Sequence, residues 1–127
     1  MKELLLVAVG GALGSAARYS LSAFILHHTL QHKFPYGTFA VNVIGCLLAG
    51  VLVGLAEKHD LISMEGRLFL LVGILGGFTT FSAFGVETIH LIRRGDFLVA
   101  ASYVMFSVLC GLAALWVAYY FVPFKKG

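Results

Sequence analysis

The chain has 127 residues, 60% of them hydrophobic and 12% charged, with a formal net charge of +3. A water-soluble domain of this size could not cover so much apolar side chain with so few charges, so a soluble fold is excluded and lipid is the expected solvent. The basic residues are dispersed, mostly at the edges of apolar runs where headgroup anchors belong, and form no stripe suited to nucleic acid.

A helix needs about 20 mostly apolar residues to cross the hydrocarbon layer. Four segments meet that length, about 4–26, 36–56, 68–92 and 97–122, and predict an all-α integral membrane protein. Residues 1–127 then form a single four-helix transmembrane domain. The first span carries Gly10, Gly11 and Gly14, small residues of the kind that let helix backbones touch in lipid. It is too long for a signal-peptide core and lacks a small-residue cleavage site, so it is expected to stay in the mature protein. Arg18 lies roughly 12 Å of helix from the span's end. It either snorkels to an interface or supplies positive potential at a vestibule that gathers anions.

The first connector holds His27, His28 and His32, and Pro35 suits the entry to the next helix. No carboxylate or cysteine completes a ligand set, so these read as solvent-exposed histidines and not as a metal site. In the second span Thr38 and Asn42 stand at i, i+4 and share a face. The Asn42 amide is a neutral donor able to replace water around an anion, or else interhelical glue, and spacing leaves both open. Gly45, Gly50 and Gly54 repeat the small-residue theme, while Cys46 and Cys110 read as free thiols.

The third span contains GILGGFTTFSAFGVE, residues 73–87, a poor continuous helix because paired glycines precede two β-branched threonines. A helix broken near its centre is expected, and non-helical backbone at membrane depth is tolerated only in protein or beside a cavity. The freed carbonyls and amides would then be available to ions. Phe81 and Phe84, at i, i+3, share a helical face; their positive ring edges suit an anion, although plain core packing fits the same spacing. Glu87 is the opposite charge to Arg18 or a gate group.

The third connector, RRGD, is short enough to make the last two spans antiparallel neighbours. In the fourth span Tyr103 and Ser107 stand at i, i+4 beside Ser102, and hydroxyls there extend a polar track unless the helix's own backbone satisfies them. Both termini fall on one side. That face carries Lys2, Lys58, Arg67, Lys125 and Lys126, and the other carries Lys33, Arg93 and Arg94. Such a weak bias is compatible with insertion in either orientation or with a small net preference. No nucleophile with a base and an orienting group is present, so the chain does not read as an enzyme, and nothing points to a protein substrate.

Three motifs together resemble the CrcB/Fluc fluoride channels over essentially the whole length: GGALGSAARY (10–19), GTFAVNVIGCLLAG (37–50) and GILGGFTTFSAF (73–84). The resemblance implies a multi-pass cell-membrane channel that exports fluoride passively and lowers cytoplasmic fluoride. It implies an antiparallel, dual-topology homodimer, with a second copy in opposite orientation, two pores and a structural sodium ion (Na+) at the centre. By similarity the carbonyls of Gly76 and Thr79 bind the sodium. Phe81, Phe84, Asn42, Tyr103, Ser107 and Thr38 line the fluoride path, with Arg18 and Glu87 at a vestibule or gate. Gly111 and Ala83 depart from hydroxyl-bearing positions of related channels and put the length of the polar track in question. Two other classes compete: a small multidrug-type proton-coupled exporter, which needs a membrane-embedded acid, and a non-transporting membrane assembly subunit.

Overall fold

The computed structural model describes residues 1–125; Lys126, counted above among the flanking charges, lies outside the described residues. The described chain is all-helical: α1 (Lys2–His28), α2 (Tyr36–His59), α3 (64–78), α4 (Phe81–Arg93) and α5 (Phe97–Phe121). Four stretches are long and apolar enough to cross a membrane, the third being α3 and α4 together, Met64–Arg93. The first three crossings extend beyond their expected bounds, and the fourth, Phe97–Phe121, ends one residue short of 122. The first runs over Lys2–His28 against the expected 4–26, because polar interfacial residues extend a helix whose backbone is already bonded.

The third crossing is interrupted as its composition predicts. Its first half begins with one α-turn, Met64–Arg67, capped by Ser63 Oγ, which accepts the Gly66 N–H at 3.1 Å. It continues as a π-helical stretch, Leu68–Leu75, and closes with Gly76–Phe78. Thr79 (φ −85°, ψ 157°) and Thr80 (φ −150°, ψ 122°) are extended, so the helix stops and restarts across two β-branched residues. The RRGD connector is a Schellman turn: Gly95, at φ 81°, donates to the Ile92 carbonyl and Asp96 to the Leu91 carbonyl. That left-handed residue reverses the chain at minimal length.

The helices associate in two parallel pairs, α1 with α3 and α2 with α5. Small residues set the first pairing: a methyl on Gly10 would lie 2.6 Å from the Phe69 carbonyl oxygen and 3.0 Å from Gly73 Cα. In the second pair, a methyl on Gly50 would overlap the Leu115 carbonyl. Hydrogen bonds tie the ends. Lys2 reaches Glu65 at 2.6 Å, and Lys33 reaches Asp96 at 2.6 Å. Lys58 Nζ donates to the carbonyls of Tyr119 (2.6 Å) and Val122 (2.9 Å), closing the C-terminus of α5. Val41, Leu91 and Tyr103 are the largest fully buried side chains.

Candidate functional site

The break between α3 and α4 is where the chain's polar groups converge. An uninterrupted helix would send the Thr80 N–H to the Gly76 carbonyl and the Ala83 N–H to the Thr79 carbonyl. Neither happens. Asn42 Oδ1 accepts the Thr80 N–H at 2.8 Å, and Asn42 Nδ2 donates to the Thr80 carbonyl at 2.9 Å, so one side chain clasps both polar groups of a single residue. Thr80 Oγ1 accepts the Ala83 N–H at 3.1 Å and caps α4. The carbonyls of Gly76 and Thr79 are thereby left without their helical donors.

The clasp makes the Asn42 amide an interhelical tie to half-buried backbone, and the amide still holds one uncommitted N–H. Beside it, Asn42, Thr79, Thr80 and Phe81 line an open groove of about 410 Å³. Phe81 is 85% exposed, whereas Phe84 packs on the buried Tyr103 with ring centroids 5.1 Å apart. The two phenylalanines are 5.6 Å apart, so the expected neighbouring rings are present, but one belongs to the core and one projects off the chain.

One turn deeper in α4, Glu87 accepts from Thr38 Oγ1 at 2.7 Å and from the Tyr103 hydroxyl at 2.7 Å. Three candidate residues from α2, α4 and α5 thus form one cluster, with Thr38 and Tyr103 buried and Glu87 half-buried. Glu87 is not the partner of Arg18, as charge pairing would have it. Arg18 Nε donates instead to the Gly77 carbonyl at 2.9 Å, with Ser15 Oγ on the same oxygen at 3.5 Å. The cation sits at the C-terminal end of α3, where the helix dipole is negative. Ser107 Oγ is buried without a hydrogen-bond partner among the described residues, so its backbone does not satisfy it.

A cavity of about 300 Å³ opens above the Glu87 cluster. Its deep wall includes Ser22, buried Thr38, Glu87 and buried Leu91. Exposed His32, Lys33, His90 and Arg94 form its rim. Sequence reasoning missed this rim because its members come from the first connector and the end of α4, more than fifty residues apart. The Thr80 cap, by contrast, carried a local signal: a threonine directly before a helical run. Among the described residues no group of three His, Cys, Asp or Glu side chains is arranged to hold a metal ion.

The family described as CrcB-like protein, Camphor Resistance (CrcB), matches residues 5–119. A protein of Methylobacillus flagellatus named fluoride-specific ion channel FluC is 50% identical over 119 residues, covering 94% of this chain and 93% of that protein. Proteins of the same name from Flavobacterium psychrophilum and Geotalea uraniireducens are 43% and 41% identical over 116 residues, each covering 91% of this chain and 93% of that protein.

Proposed function

The chain belongs to the CrcB family of multi-pass cell-membrane proteins, an ion-channel family and not one of enzymes, and from that premise we propose that it is a fluoride-selective channel. The observation that carries this reading is the break at Thr79 and Thr80, held open by Asn42. Irregular backbone at membrane depth belongs beside a cavity, and the relatives' names supply the ion.

The path runs past Thr38, Asn42, Phe81, Phe84, Tyr103 and Ser107. Asn42 offers its uncommitted N–H, Ser107 its unpartnered hydroxyl, and the phenylalanines their ring edges. Each is a weak neutral donor, and weak successive sites let an ion leave as readily as it enters. Glu87 acts as a gate because it holds the Thr38 and Tyr103 hydroxyls that an arriving fluoride must win. Arg18 adds positive potential beside the break. Export is passive, since a membrane negative inside drives an anion outward by about 2.3 kcal/mol per 100 mV.

The working unit is an antiparallel homodimer. An aromatic ring 85% exposed beside an open groove at the break supports a missing second wall, which a copy in the opposite orientation provides. The Gly76 and Thr79 carbonyls, stripped of helical donors, are hard oxygen ligands and fit a sodium ion shared between two copies. Held by these carbonyls, such an ion would supply fixed positive charge beside the break.

Purified protein in liposomes tests the reading by fluoride efflux against chloride efflux. Fluoride is expected to leave far faster, and F81I is expected to suppress that flux while the dimer stays folded. Equal rates for the two anions, or no efflux, would overturn the channel assignment.

A further inference from the structure

The cavity above Glu87 has a charge balance that its residue types do not suggest. Lys33 and Arg94 are the fixed cations of its rim, yet both are held by one carboxylate, Asp96, at 2.6 and 3.5 Å. Asp96 stands at the N-cap of α5 without a side-chain capping bond, so its carboxylate is committed to these cations. Below them lies Glu87. Two fixed positive charges therefore face two carboxylates, and the wall carries little net charge of its own.

The cavity lining also holds the Tyr36 phenol and two imidazoles, His32 and His90. His32 sits edge-on to the Tyr36 ring, centroids 5.6 Å apart, next to Lys33. His90 also lines an outer cleft with Arg93 and Arg94. α1 contributes uncharged Ser22 and Leu26 to the wall, and Thr29 follows at its C-cap. Histidine is the residue type whose charge changes between about pH 5 and pH 8, so protonation adds charge where the fixed groups nearly cancel.

Resting on the channel reading, we propose that this rim is where anions are first collected, and that protonation of His32 and His90 sets how strongly it collects them. Acidification turns a nearly neutral mouth into a cationic one leading down to Thr38 and Glu87. The effect is on capture: it raises entry at limiting fluoride more than the saturating rate, and salt screens it. Each added charge at such a mouth is expected to raise entry roughly twofold at low ionic strength.

The test is fluoride flux through the reconstituted protein at limiting and saturating fluoride, from pH 7.5 to pH 5.5, in low and high salt. Protein-free vesicles at each pH subtract the leak of undissociated hydrogen fluoride. Wild type is expected to rise roughly two- to fourfold at limiting fluoride and low salt on acidification, with the rise flattened by high salt. H32Q and H90Q are each expected to lose part of the rise and the double variant all of it. A pH-independent wild type would overturn the proposal, as would a double variant that keeps the rise. Absence of fluoride flux at every pH would instead overturn the channel reading on which it rests.

Discussion

Replacing Asn42 with alanine removes the side chain from α2 that bonds the open backbone of Thr80 in the third crossing. The substitution deletes the bond from Nδ2 to the Thr80 carbonyl (2.9 Å) and the bond from the Thr80 N–H to Oδ1 (2.8 Å). Interhelical hydrogen bonds in membranes average about 0.6 kcal/mol and reach roughly 1.7 kcal/mol. Here, though, the groups left behind are a peptide N–H and a peptide C=O in a half-buried site, each costing about 1–3 kcal/mol when unsatisfied. A loss of about 2–6 kcal/mol follows, a factor of roughly 30 to 20,000 in the population of the clasped conformation. Amide exchange at Thr80 reads that population directly, and thermal unfolding in detergent reads the global cost. N42A is expected to exchange faster at Thr80, to unfold at lower temperature and to lose fluoride flux. Wild-type exchange and wild-type unfolding in N42A would refute the clasp.

Three further substitutions probe neighbouring contacts. G14A places a methyl into the Ile74 carbonyl and 2.9 Å from the Phe78 nitrogen, backbone against backbone, and is expected to cost about 3 kcal/mol or more by denaturation; G11A, whose methyl would meet nothing nearer than 3.9 Å, serves as the tolerated control. Y103F leaves Glu87 Oε2 without its donor in the core and is expected to destabilise by about 1–3 kcal/mol, visible as a lower thermal midpoint. R18A removes a charge-assisted bond to the Gly77 carbonyl and is expected to cost about 1.5–3 kcal/mol, whereas S15A, losing a contact at the 3.5 Å limit, is expected to cost much less; equal losses would mean that Arg18 does not hold the end of α3.

Much of the fold was legible in residue order because its signals are local. Apolar runs of helical length with few charges inside them mark the four crossings. The Gly76–Gly77 pair followed by Thr79 and Thr80 marks the interruption, since propensity depends on neighbours a turn away. The i, i+4 pair Thr38 and Asn42 did share a face, and both side chains reach the third crossing. Spacing stopped there, because it ranks faces within one helix and says nothing about which helix lies opposite.

What the sequence determined by itself is therefore a membrane-spanning, four-crossing chain with a weak point in the third helix. Only the tertiary structure decided how that weak point is satisfied. Close approach of α1 to α3 at Gly10 and Gly73 brings Arg18 to Gly77 and takes it away from Glu87. The packing of α2 and α5 around α4 delivers Thr38 and Tyr103 to Glu87, and Asn42 to Thr80. The physical reason is that unpaired backbone and carboxylate groups in a nonpolar interior must take the nearest donor or acceptor, and which group is nearest depends on helix packing, not on sequence distance.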